Sequence, residues 1–145
     1  MSLAPLLQDP TGASAKWTKP ALSQYPRCPA TPDGQWTTNV SLMWQNNWCE
    51  MTDRLDIPWM GYSLRTADFR FTEWAKWDGS KQLPDWNVLA GRELYAHHAD
   101  DGGATCFDEF ENINLATVPA HAEDVRRLSA QLHALVAAQP HTGPL

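Results

Sequence analysis

The sequence predicts an α+β protein in which a small antiparallel sheet carries one C-terminal helix on a single face. Two segments, 60–66 and 69–74, alternate apolar and polar side chains and are separated by only two residues, which is typical of a β-hairpin. Towards the C-terminus, apolar residues recur at the spacing of one helical face. The most economical arrangement packs that helix against the apolar face of the sheet.

The strands are predicted from alternation and from the turn residues that follow them. Pro26 is expected to end the first strand, because proline cannot donate to a sheet ladder. Thr66-Ala67-Asp68 is short enough to join the hairpin strands, and Asp78-Gly79-Ser80 is expected to end the second of them. The predicted strands are 21–25, 59–65, 69–77 and 93–97.

The last predicted element is a helix that enters after Pro119 and leaves at Pro140. Proline is favoured in the first helical turn, where its missing N–H has no partner to lose. Glu123 and Asp124 lie near the positive end of the helix dipole. The apolar face is formed by residues at i, i+3, i+7 and i+10, namely Val125, Leu128, Leu132 and Leu135.

Length and charge limit the organisation and the partners of the chain. At 145 residues it fits one domain, predicted as a connector (1–20), a folded unit (21–139) and a tail (140–145). A net charge of −6 argues against nucleic acid or an anionic membrane as a partner, because both need a basic patch. The sequence contains no run of about 18 apolar residues, so no transmembrane helix is predicted. The N-terminal residues show no targeting signal.

Cysteine positions and one sequon suggest a secretory setting. Cys28 and Cys49 bracket a loop rich in proline, asparagine and tryptophan, and a bond between them would close that loop. Inside it, Asn39-Val40-Ser41 is an N-glycosylation sequon. Together they favour an oxidising compartment. The third cysteine, Cys106, lies in an acidic stretch that disfavours the reactive thiolate.

Few residue patterns suggest chemistry. His97, His98, Asp100 and Asp101 are potential metal ligands, but adjacent histidines on a strand point to opposite faces, so no metal site is predicted. No nucleophile elbow or phosphate-binding loop is present. An arginine can hold a carboxylate or sulfate through two parallel hydrogen bonds, so Arg65 and Arg92 are candidates for a substrate rim.

Several segments, in order and at fitting spacing, resemble the C-terminal subdomain of sulfatases of the iduronate-2-sulfatase group. In chain order these are Ser2-Leu3-Ala4-Pro5-Leu6-Leu7, Ser23-Gln24-Tyr25-Pro26-Arg27, Met60-Gly61-Tyr62-Ser63-Leu64-Arg65-Thr66, Phe69-Arg70-Phe71-Thr72-Glu73-Trp74, Glu93-Leu94-Tyr95 and Glu111 through Ala116. The resemblance implies a four-stranded antiparallel sheet with a terminal helix. It also implies a partner, a large α/β catalytic domain, and a parent enzyme that hydrolyses sulfate esters of a carbohydrate.

The resemblance brings no catalytic residue into this chain. Sulfatases convert the cysteine of a Cys-x-Pro-Ser-Arg type motif to formylglycine, whereas the three cysteines here are followed by Pro-Ala-Thr, Glu-Met-Thr and Phe-Asp-Glu. The formylglycine and the calcium ligands of the family are expected in a catalytic domain that precedes this region. The chain alone is therefore expected to contain no cofactor and no sulfatase activity. For the parent, the resemblance implies a lysosomal or extracellular location.

Two other functions are compatible with the sequence. Of the eight tryptophans, six lie between Trp36 and Trp77, so the chain is alternatively a standalone tryptophan-rich module that binds glycans without catalysis. A metal-dependent hydrolase using His97, His98 and Asp100 is the more remote alternative.

Overall fold

The computed structural model describes residues 4–9, 11–12, 19–28, 49, 52–100 and 110–139. The helices with described bounds are α1 (Ala4–Gln8) and α2 (Ala122–Ala137), and a 3-10 turn (Pro119–His121) leads into α2. Its strands are β1 (Ala21–Arg27), β2 (Trp59–Arg65), β3 (Phe69–Asp78) and β4 (Leu83–Ala96). All four strands form one antiparallel sheet in the order β1-β2-β3-β4. The α+β prediction is confirmed.

The central hairpin follows the sequence prediction closely. β2 has the predicted bounds, and the turn is closed by a 2.8 Å hydrogen bond that Thr66 N–H donates to the Phe69 carbonyl oxygen. Phe69 N–H in turn donates to the Thr66 hydroxyl oxygen at 3.0 Å. The threonine side chain therefore supports the same turn that its backbone closes.

Two strand boundaries differ from the prediction by more than one residue. Pro26 does not end β1 but pairs with Met60 inside it. β1 is an edge strand, where a proline is tolerated because its missing N–H need not face a partner. β4 begins at Leu83, ten residues before the predicted Glu93. The predicted connector also contains one short helix, α1.

An irregularity in β4 hides the first half of that strand from a search for alternation. Lys76 pairs with Asp85 whereas the preceding Ala75 pairs with Leu89, so three extra residues of β4 bulge out between the two pairs. The bulge carries Trp86 to the α2 side of the sheet, where its ring lies 5.2 Å from Tyr62 and stacks on His133 at 4.0 Å. The period of two is lost there because the bulge redirects the side chains.

The core lies between α2 and the apolar face of the sheet. Leu128 and Leu132 are fully buried as the helical periodicity predicts, and Val125 and Leu135 pack at the margin. Val136 completes the buried stripe of the helix. Burial raises the pKa of the Tyr62 hydroxyl to about 12, since a phenolate would lose its hydration there. The buried apolar sheet residues are Met60, Tyr62, Leu64, Phe69, Phe71, Ala75 and Leu94.

The segment before α2 runs along the outer edge of β4 and is fixed there by Asn114. The Asn114 amide oxygen accepts from Leu94 N–H at 3.0 Å, and its amide nitrogen donates to the Arg92 carbonyl oxygen at 3.0 Å. Leu115 N–H donates to the Leu94 carbonyl oxygen at 2.8 Å. These bonds occupy polar backbone groups that an edge strand would otherwise leave open. Within the described ranges, no helix has the length and apolarity needed to cross a membrane.

Candidate functional site

A buried carboxylate, Glu73 on β3, joins the sheet to α2. Its side chain is fully buried. One carboxylate oxygen accepts from Arg92 Nε at 2.7 Å and from the Ser129 hydroxyl at 3.0 Å, and the other lies 2.6 Å from His133 Nε2. A buried charge is tolerated only when it is paired and hydrogen-bonded, and Glu73 has three such partners. We refer to Glu73, Arg92, Ser129 and His133 as the clamp.

The clamp changes the interpretation of two predicted positions. His133, expected at the rim of the helix, reaches Glu73 beneath α2 and retains only 33% of its side-chain exposure. Arg92, a predicted rim residue, pairs with Glu73 while 47% of its side chain stays exposed. Arg92 therefore has a structural partner and an exposed part; whether that part meets a substrate remains a prediction.

A groove of about 450 Å³ opens on the sheet face opposite α2. Its central feature is Trp74, whose ring lies across Gly61 on the neighbouring strand. The Trp74 indole N–H donates to Glu93 Oε1 at 2.8 Å, and the Arg27 guanidinium lies 5.3 Å from the centre of the ring. A cation over an indole face is attracted by the ring quadrupole. The groove is lined by Arg27, Trp59, Trp74, Ala90, Gly91, Arg92, Glu93 and Asn114.

Gly61 is required by the close approach of Trp74. A Cβ at position 61 would lie 2.6 Å from the Trp74 ring, and the bond to Glu93 prevents the ring from moving away freely. We expect Gly61→Ala to lower the free energy of unfolding by about 1–2 kcal/mol, as measured by urea denaturation. Gly91→Ala is the matched control, because a Cβ there meets no atom within 4 Å. Equal stability of the two variants would contradict this role of Trp74.

Arg65, the second predicted rim residue, belongs to an ion-pair network at the hairpin end of the sheet. Arg65 and Arg70 are direct cross-strand partners, and two like charges in that position repel. Asp100 neutralises Arg65 at 3.1 Å, and Glu111 neutralises Arg70. His97 lies between the two carboxylates, 2.9 Å from Asp100 and 3.3 Å from Glu111. Arg65 thus has structural partners, and its contact with a substrate also remains a prediction.

The two adjacent histidines diverge, as their positions after a strand suggest. His97 is buried and stacks on Phe110, whereas His98 is exposed beside Asp68. In the part of the chain that the structure describes, no three metal-binding side chains converge on one point. Asp101 and Cys106 lie outside the described residues.

The structure contains the disulfide that the sequence raised as a possibility. Cys28 and Cys49 are bonded across a separation of 21 residues. Cys28 follows directly on the end of β1, so the bond ties the end of that strand to Cys49. Asn39, the predicted glycosylation site, lies outside the described residues, so its modification stays a prediction.

Comparison with known proteins relates the chain to sulfatases over part of its length. No protein-family model matches it. It is 35% identical over 80 residues to the iduronate 2-sulfatase of Mus musculus and 32% identical over 80 residues to that of Homo sapiens. Each match covers 55% of this chain and 12% of the relative. The chain thus contains a sulfatase-related region, and it matches only about an eighth of the length of these relatives.

Neither the clamp nor the groove is predicted by the sequence. Glu73 and His133 are 60 residues apart, and Arg27 and Trp74 are nearly 50 apart, so neither set forms a local motif. One signal was available: Glu73 occupies a core-facing position between Phe71 and Ala75 on an otherwise apolar face. A charged residue in that register needs a buried partner.

Proposed function

We propose that this chain is the C-terminal subdomain of a sulfatase, with residues 21–139 as the folded unit and residues 1–20 as the connector from a catalytic domain. In the parent enzyme, the subdomain covers one side of the catalytic domain and helps to shape the substrate cleft. The observation that carries the proposal is the 80-residue similarity to two iduronate 2-sulfatases. The sheet with one terminal helix is the architecture that the family resemblance implies.

The proposal assigns the chemistry of sulfate-ester hydrolysis to the catalytic domain and not to this chain. Cys28 and Cys49 are joined in a disulfide, and Cys106 is followed by Phe-Asp-Glu instead of a Pro-Ser-Arg type context. The residues present therefore do not fit a formylglycine site. The parent is proposed to act on a sulfated carbohydrate in the lysosome or outside the cell, where the disulfide persists.

A chimera tests the proposal. The C-terminal subdomain of mouse iduronate 2-sulfatase is replaced by residues 21–139 of this chain, and secretion and hydrolysis of 4-methylumbelliferyl sulfated iduronide are measured. We expect a secreted, active chimera, and no turnover by the 145-residue chain alone. A matched chimera carrying Glu73→Ala should be secreted poorly, because the clamp is lost. A chimera that is secreted but inactive, or turnover by this chain alone, would contradict the proposal.

A further inference from the structure

The groove opposite α2 has the features of a small-molecule site. Its volume of about 450 Å³ lies in the range of ligand pockets, and its walls combine aromatic rings with a few polar groups. Trp74 is held on one side by Gly61 and at its N–H by Glu93, so the ring is fixed before any ligand arrives. A fixed ring costs little conformational entropy on binding.

The lining favours a ligand with one apolar face and several hydroxyl groups. The Trp59 ring contributes apolar surface to the groove, and the Trp74 ring, which lies against Gly61 and beneath the Arg27 guanidinium, forms part of its floor. Beside them, Glu93 contributes a carboxylate that accepts hydrogen bonds, and Arg27 contributes a guanidinium that donates them. A pyranose ring matches this pairing, because its C–H groups form an apolar face and its hydroxyl groups point outward from the rim.

The charges of the groove favour an uncharged ring. Arg27 is positive and Glu93 is negative, whereas the Arg92 side chain lies on the α2 face of the sheet, paired with the buried Glu73. The two formal charges of the groove therefore sum to zero, whereas a sulfated or carboxylated sugar needs a net positive site. We propose that this groove binds a neutral pyranose unit of a carbohydrate. The site is independent of the proposed sulfatase function and needs no catalytic domain.

Nuclear magnetic resonance of the ¹⁵N-labelled full chain tests the inference, with the Trp74 indole N–H as the reporter. The probes are cellotetraose, chitotetraose and mannotetraose, which are neutral, and a heparin tetrasaccharide, which is sulfated, each at millimolar concentration. We expect at least one neutral probe to shift the Trp74 signal saturably. That shift should be unchanged by added salt, because no net charge is neutralised.

Variants connect the shift to the groove. Trp59→Ala and, independently, Arg27→Ala are expected to weaken binding of the neutral probe about tenfold. Arg27 is on the exposed edge strand, so this second variant keeps the test valid if Trp59→Ala does not fold. Val118→Ala is the control: Val118 is 37% exposed in the segment that leads into α2 and does not line the groove, so binding should be unchanged.

Three results would overturn the inference. The first is that none of the three neutral probes shifts the Trp74 signal. The second is that Trp59→Ala and Arg27→Ala both bind the neutral probe with the affinity of the unsubstituted chain. The third is that only the heparin probe binds and that its binding is lost at high salt. None of them bears on the chimera experiment, which measures secretion and sulfatase activity. Conversely, an inactive chimera leaves the saccharide measurement intact, so failure of one proposal is distinguishable from failure of the other.

Discussion

Replacing Glu73 with alanine is expected to lower the free energy of unfolding by about 3 kcal/mol. The change removes a buried carboxylate and leaves the three side chains around it without their shared partner. Breaking a buried ion pair from one side costs about 3–5 kcal/mol. The lower end of this energy range applies to Glu73→Ala because Arg92 and His133 are partly exposed and regain hydration. Urea denaturation followed by circular dichroism measures the effect.

Glu93→Ala is the matched control for this prediction. Glu93 on β4 is also a carboxylate that accepts a hydrogen bond from a neighbouring strand, from Trp74 on β3. Its side chain faces the groove and not α2. Its loss removes hydrogen bonds to Trp74 and Tyr95 but breaks no buried ion pair, and it should cost only about 1 kcal/mol. If both variants lost the same stability, the clamp would not be the main polar link between the helix and the sheet.

Removal of the disulfide is expected to cost about 3 kcal/mol in the double variant Cys28→Ser/Cys49→Ser. In the chain-entropy account, the bond restricts a loop of 21 residues in the unfolded state. The unfolded chain therefore gains freedom when the bond is lost, and thermal or urea unfolding moves to milder conditions. The effect should appear as a lower midpoint in non-reducing buffer.

Reduction of the unsubstituted chain is the control for the double variant. Dithiothreitol should shift the unsubstituted protein to the midpoint of the double variant and leave the double variant itself unchanged. An unsubstituted protein that is insensitive to the reductant while both thiols become alkylated would contradict a stabilising disulfide. Thiol alkylation, read by mass spectrometry, shows whether reduction took place.

Local signals predicted the hairpin and the helix, because their patterns are complete within short segments. Met60, Tyr62 and Leu64 alternate without interruption, and Leu128 and Leu132 repeat at a helical spacing. The same reasoning failed for β4, since the bulge around Trp86 breaks the period of two. It also ended β1 at Pro26, because propensity does not reveal that the strand lies at an edge.

The clamp and the groove are formed by residues that are far apart in the sequence. The sequence gives no spacing rule that connects Glu73 to Ser129 and His133, since β3 and α2 meet only after the sheet has formed. The groove likewise needs β1, β2, β3 and β4 in register before Arg27, Trp59 and Trp74 come together. Composition signalled unusual tryptophan content, but only the fold separates core rings such as Trp86 from groove rings such as Trp74.

The central claim is that this chain is one part of a sulfatase polypeptide. Sequencing of the transcript upstream of the Met1 codon tests it most directly. The account predicts an in-frame continuation that encodes a catalytic domain with a Cys-x-Pro-Ser-Arg type motif. An in-frame stop codon immediately upstream, together with translation starting at Met1, would contradict the account and leave a separate protein defined by its groove.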